Sequence, residues 1–141
     1  MPEVPINYVA VVAAAAASMV IGMLWYGPLF GKPWVALMGW TSEETEAAKA
    51  KGKRSMVWAA LGSLVMAYVL AHSLVFASAY LNASGVPAGL MAGFWSWLGF
   101  VAPVSLGVVL WEGRPWKLCV LNNAYWLIAL LVMGMILALG Q

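Results

Sequence analysis

A chain of 141 residues that is 65% hydrophobic and 9% charged, with a mean hydropathy of +0.90, cannot cover itself for water. A soluble domain carries about a quarter charged residues, so the composition excludes that class and points to one compact integral membrane domain, residues 1–141. The formal net charge of +2 gives no electrostatic footprint for nucleic acid, and the single cysteine, Cys119, excludes both an intrachain disulfide and a cysteine–histidine metal site.

The first apolar run covers residues 4–27, long enough to cross the hydrocarbon core, for which about 20 helical residues suffice. It lacks the basic flank of a signal peptide, so cleavage is not expected. Ala10, Ala14, Ser18 and Gly22 recur every four residues and form a stripe of small side chains. Such stripes let helix backbones approach closely in lipid, where apolar burial alone gives no association force. An alanine-rich composition could produce the same spacing by chance, but a packing face is the better reading.

The run ends at Leu24-Trp25-Tyr26-Gly27-Pro28-Leu29-Phe30-Gly31-Lys32-Pro33-Trp34. Pro28 lacks an amide proton and restricts the residue before it, so a helix stop is expected here. Residues 32–40, with Trp34, Leu37, Met38 and Trp40, read as a short interfacial helix. Thr41 followed by Glu44 matches a capping box and opens a solvated helix with its acids first and Lys49, Lys51, Lys53 and Arg54 later.

The second span is expected over 55–81. Ala59, Ser63, Ala67 and Ala71 make a second four-residue stripe, the natural partner of Ala14, Ser18 and Gly22. His72 lies beside it, 17 residues from the basic end, or about 26 Å of helix rise, in the outer half of the membrane. Residues 82–87 form a polar turn. The third span, 88–111, carries Gly89, Gly93, Gly99, Pro103 and Gly107, and its proline predicts a kink. Glu112-Gly113-Arg114-Pro115-Trp116 is a shortened echo of the first glycine–basic–proline–tryptophan unit, and the fourth span runs over 116–140.

The expected fold is therefore an all-α membrane protein, four transmembrane helices in an up-down bundle with a short interfacial and cytoplasmic helical segment between the first two. All seven Lys and Arg fall in loops 28–54 and 112–117. Basic loops stay in the cytoplasm, so both termini are expected outside a multi-pass protein of the inner (plasma) membrane. In the two echoing units the basic residue anchors in headgroups, proline starts the next helix and tryptophan sits at the interface. Poor alignment elsewhere favours repeated punctuation over a duplicated hairpin.

Ionisable and polar groups at membrane depth are the functional candidates. His72 reads as a proton-relay, ligand or gating group, or as a neutral imidazole hydrogen-bonded to Ser18, Tyr68 or an indole. Asn122 and Asn123 point about 100° apart on a helix, so at least one should bond another helix or line a cavity. Trp25, Tyr26, Pro28, Lys32, Trp34, Glu112 and Arg114 would form the cytoplasmic mouth or topology motif, with a local ion pair expected between Glu112 and Arg114. No nucleophile has a base and no carboxylates pair within the spans, so no catalytic residues, metal or cofactor are expected.

These residues also carry a resemblance. Ile6-Asn7-Tyr8, the run Trp25 to Trp34, the acidic start Thr41 to Glu46, His72, Glu112-Gly113-Arg114-Pro115 and Asn122-Asn123-Ala124-Tyr125 resemble a small bacterial membrane family catalogued as domain of unknown function 1761. The resemblance implies a four-helix membrane protein and brings no established activity. Two functions compete. One is a homo-oligomeric channel or small-solute transporter with its path at helix or subunit interfaces, lined by His72, Asn122 and Asn123. The other is a structural or accessory protein that packs with itself, a partner or lipid. Small multidrug transporters place a carboxylate inside their first helix, whereas this first segment has no acid after Glu3.

Overall fold

The computed structural model describes residues 4–141, which leaves Glu3 outside the described residues. The described chain is helical, without strands: α1 (Tyr8–Leu24), α2 (Gly31–Met38), α3 (Ser42–Ala50), α4 (Gly52–Leu81), α5 (Gly85–Ser96), α6 (Ala102–Leu110) and α7 (Trp116–Leu139). Two wide π turns, Trp25–Leu29 and Trp97–Val101, continue α1 and join α5 to α6. Four stretches are long and apolar enough to span a membrane: Tyr8–Leu29, Gly52–Leu81, Gly85–Leu110 and Trp116–Leu139.

The helix starts follow from local chemistry. Asn7 caps α1, its Oδ1 accepting from the amides of Val9 (3.0 Å) and Ala10 (3.1 Å), while its Nδ2 donates to the Gly140 carbonyl at 2.9 Å. One side chain thus caps the first long helix and ties it to the end of the last. Thr41 and Glu44 close both arms of the capping box at the start of α3.

The first helix does not stop at Gly27-Pro28. The Phe30 amide reaches back five residues to the Trp25 carbonyl at 2.8 Å, and the chain passes the proline as a π turn, with Gly27 outside helical geometry at φ −103°, ψ −105°. A wide turn accommodates the missing proline amide without ending the rod. Pro103 acts similarly from the third span: lacking an N–H, it leaves the preceding turn without its usual donor, and the π turn ends two residues before it.

Packing is carried by small residues. Ala10, Ala14 and Ser18 of α1 and Ser63, Ala67 and Ala71 of α4 are buried, and α1 packs on α4 as well as on α7. Ala59, one turn before Ser63, is exposed, so the two stripes part at the end that carries the basic loops. The closest approach lies elsewhere. α5 packs most extensively on α7, and a Cβ added to Gly89 would collide with the Gly134 carbonyl, as one added to Gly93 would with the Leu130 carbonyl. Gly89 and Gly93 form a GxxxG spacing, whose bare surface lets the two backbones touch.

Candidate functional site

The two adjacent asparagines of α7 reach the two π turns. Asn122 Oδ1 accepts from the Tyr26 hydroxyl at 2.9 Å, and Tyr26 lies within the first π turn. Asn123 Nδ2 donates to Ser105 Oγ of α6 at 2.6 Å and to the Cys119 carbonyl at 2.9 Å. The Asn123 carbonyl in turn accepts from the indole N–H of Trp97, in the second π turn, at 3.0 Å. Neighbouring positions on a 3.6-residue helix diverge by about 100°, which lets one dipeptide serve two partners on different sides. Asn123 Oδ1 is buried without a partner among the described residues.

Aromatic rings extend this locus toward the basic loops. Tyr26 meets Tyr125 edge-on at 5.2 Å and Trp34 at 5.4 Å, and Trp34 meets Trp40 at 5.2 Å. Trp25 lies against Phe30 at 4.5 Å. Tyr125 OH donates to the Ser18 carbonyl at 3.3 Å, tying α7 to the small stripe of α1.

Where the stripes of α1 and α4 part, a cavity of about 580 Å³ opens. Met19, Met23, Met56 and Met66 line it, with Gly22, Gly27, Ala59, Gly62, Ser63, Tyr26, Tyr125 and Trp126. The exposure of Met23, Met56, Ala59 and Gly62 makes it open to the outside of the helix cluster. No wall residue carries a carboxylate, an ammonium, a guanidinium or an imidazole: the side-chain polar atoms are the hydroxyls of Tyr26, Tyr125 and Ser63 and the Trp126 indole N–H. Ser63 is itself only 5% exposed.

His72 is placed apart from this arrangement. Its Nδ1 donates to the Tyr68 carbonyl at 2.9 Å, one turn back in the same helix, and its ring packs edge-on against Tyr68 at 4.4 Å. Of the partners expected for it, the structure supplies Tyr68, through its backbone, while Ser18 Oγ is buried without a partner among the described residues.

Glu112 and Arg114 do not form the expected local ion pair. Arg114 Nη1 instead donates to the Met38 carbonyl at 2.8 Å, at the end of α2. That carbonyl belongs to the unsatisfied end of a helix whose dipole favours a cation. The basic residue of the second glycine–basic–proline–tryptophan unit thus caps the helix begun by the first. Lys32, Pro28 and Glu112 are exposed, and Trp25, Tyr26 and Trp34 partly buried. Sequence reasoning missed Ser105, Tyr125 and the four methionines. Tyr125 was legible as the aromatic one turn beyond Asn122 on α7; the methionines lie on two different spans and converge only in space.

The family model described as "Protein of unknown function (DUF1761)" matches residues 9–138, nearly the whole chain. The chain belongs to the DUF1761 family. No curated protein and no solved structure shows a significant match to it. Within the family frame the matched segment contains both π turns, the asparagine pair and every wall residue of the 580 Å³ cavity.

Proposed function

We propose that this DUF1761 protein is a non-enzymatic, multi-pass protein of the inner membrane that takes up a small neutral lipophile, from the side, into the cavity between α1, α4 and α7. The observation that carries this reading is the character of the cavity wall. Its volume falls within the range of ligand sites, methionines give a soft surface that adapts to irregular apolar shapes, and three hydroxyls and an indole offer orientation without charge. In this reading the four spans form an up-down bundle with both termini outside and the basic loops in the cytoplasm, and α2 lies at the membrane surface with Trp34 and Trp40 among headgroups. Transport of the lipophile is the role this arrangement serves, with the asparagine pair holding the helices rather than lining a water path.

The test is organic extraction of the purified protein followed by mass spectrometry, comparing wild type with Ala59→Trp, which fills the cavity from an exposed position. Wild type is expected to retain a neutral lipophile that Ala59→Trp loses while eluting as a folded species. Equal retention by both ends the proposal.

A second reading, self-association, is favoured by one observation. Only 6% of the apolar window of Gly85–Leu110 is buried, against 28%, 28% and 33% for the other spans. This span presents Gly99 and Pro103 outward, small residues suited to a second copy. Light scattering of the detergent-solubilised protein should give a protein mass that is a multiple of 15.1 kDa; a monomer mass at all concentrations removes this reading.

A further inference from the structure

Two of the four side-chain polar groups around the methionine cavity have their protons engaged. The Tyr26 hydroxyl donates to Asn122 Oδ1 at 2.9 Å, and the Tyr125 hydroxyl donates to the Ser18 carbonyl at 3.3 Å. The other two, the Ser63 hydroxyl and the Trp126 indole N–H, have no partner among the described residues. We infer that the cavity selects a lipophile bearing a neutral carbonyl, whose oxygen accepts a hydrogen bond from Ser63. This narrows the lipophile reading above, on which it rests, to one chemical class.

Ser63 carries most of the weight. It is only 5% exposed, yet its hydroxyl is free, where a serine inside a helix can bond back to a carbonyl of the preceding turn. Ser73, ten residues along the same helix, does so to the Val69 carbonyl at 3.1 Å, and Ser105 of α6 does so to the Ala102 carbonyl at 2.9 Å. Ser63 also differs from the unpaired serines elsewhere. The hydroxyls of Ser18 and Ser78 are sealed off without a partner. That of Ser63 is not sealed, and the open space beside it is the cavity.

Depth sharpens the requirement. Nine residues separate Ser63 from Arg54, about 13 Å of helix rise. In the bilayer placement proposed above, the hydroxyl then lies below the headgroups, out of reach of interfacial water and of the lipids' own ester carbonyls. A donor left free in hydrocarbon is costly until something accepts from it.

The balance of donors names the acceptor. An indole has a proton to give and no lone pair with which to receive one, so the unspent protons come from two walls, Ser63 of α4 and Trp126 of α7. A carbonyl oxygen has lone pairs and no proton of its own. A hydrocarbon would leave both donors unpaired, and an alcohol would bring a third proton to place. No cation stands in the wall, so a carboxylate would enter unpaired. The matching chemistry is a ketone, ester or quinone.

The test compares a long-chain alkyl phenyl ketone with the matching alkylbenzene and the matching secondary alcohol, on the full chain in nanodiscs. Binding midpoints are read from the methyl resonances of the wall methionines. Wild type is expected to bind the ketone about fivefold more tightly than the alkylbenzene, the worth of one net hydrogen bond, and more tightly than the alcohol. Ser63→Ala should abolish that preference and leave the alkylbenzene midpoint unchanged. The control Ser73→Ala, at an exposed serine bonded within its own helix, should keep it. With a ¹³C-labelled carbonyl, the infrared band of the bound ketone should lie at lower frequency in wild type than in Ser63→Ala. Equal midpoints for ketone and alkylbenzene, tighter binding of the alcohol, equal weakening of ketone and alkylbenzene in Ser63→Ala, or an unshifted carbonyl band would each overturn the carbonyl assignment while leaving the lipophile site standing. Binding of none of the three probes would overturn both.

Discussion

The Tyr26 hydroxyl and Asn122 Oδ1 meet at 2.9 Å across 96 residues of sequence, and the bond pins a π turn of the first span to the last helix. In lipid, such interhelical hydrogen bonds average about 0.6 kcal/mol and reach about 1.7 kcal/mol. Tyr26→Phe and Asn122→Ala should each destabilise the folded protein in bicelles by an amount in this range. The double variant should cost less than their sum, because both remove one interaction. Simple additivity in a denaturant-unfolding cycle would show that the two side chains do not support each other.

The glycine contact between α5 and α7 gives the largest expected loss. Gly89→Ala places a methyl group against the Gly134 backbone carbonyl, which has no flexible side chain to yield. Overpacking of this kind costs about 1–3 kcal/mol. Gly62→Ala meets nothing within 4 Å and sits inside the α4 helix, where alanine is favoured over glycine by about 0.5–1 kcal/mol. Thermal unfolding of the pair should therefore move in opposite directions; a loss for Gly62→Ala comparable to that for Gly89→Ala would contradict the assigned packing.

His72→Ala should be nearly silent. The imidazole bonds a carbonyl of its own helix, which already has a helical donor, and leaves no other span unpartnered. A stability change within about 0.5 kcal/mol is expected, with lipophile retention unaltered. A large loss of retained lipophile would return His72 to the functional site.

Arg114→Gln should loosen the basic loops without disturbing the spans. Losing the Arg114–Met38 contact removes a charge-assisted cap, worth about 1 kcal/mol. Limited proteolysis between α2 and α3 should quicken while the helical circular dichroism is retained. Unchanged cleavage would mean the contact contributes nothing to loop order.

Much of the fold was legible because run length and hydropathy suffice to mark spans, and because Thr41 with Glu44 is a local signal. Helix ends were less so. The first span reads as ending at Gly27-Pro28, yet the π turn carries it to Leu29, since proline forbids one amide bond and not the wider turn. Gly52 opens α4 three residues before the expected Ser55, placing Lys53 and Arg54 in its first turn. The stripes at Ala14–Ser18 and Ser63–Ala71 lay in plain view, but Ala59 and Gly22 line a cavity because the helices diverge, which no spacing discloses. Gly89 and Gly93 carry a GxxxG spacing in the sequence, but only the tertiary structure sets it against the Gly134 and Leu130 carbonyls of α7. At the site, the divergence of Asn122 and Asn123 was a matter of helix geometry, whereas their partners Tyr26 and Ser105 come from distant spans and needed the tertiary structure.

The claim that the methionine cavity receives a neutral lipophile is tested most directly by its own walls. Four of the nine methionines, Met19, Met23, Met56 and Met66, line it. With ¹³C-methyl methionine in nanodiscs, titration with a long-chain alkyl phenyl ketone should shift those four methyl resonances and spare the others, and Ala59→Trp should abolish the shifts. Uniform shifts across all the methionines, or none at these four, would contradict the account.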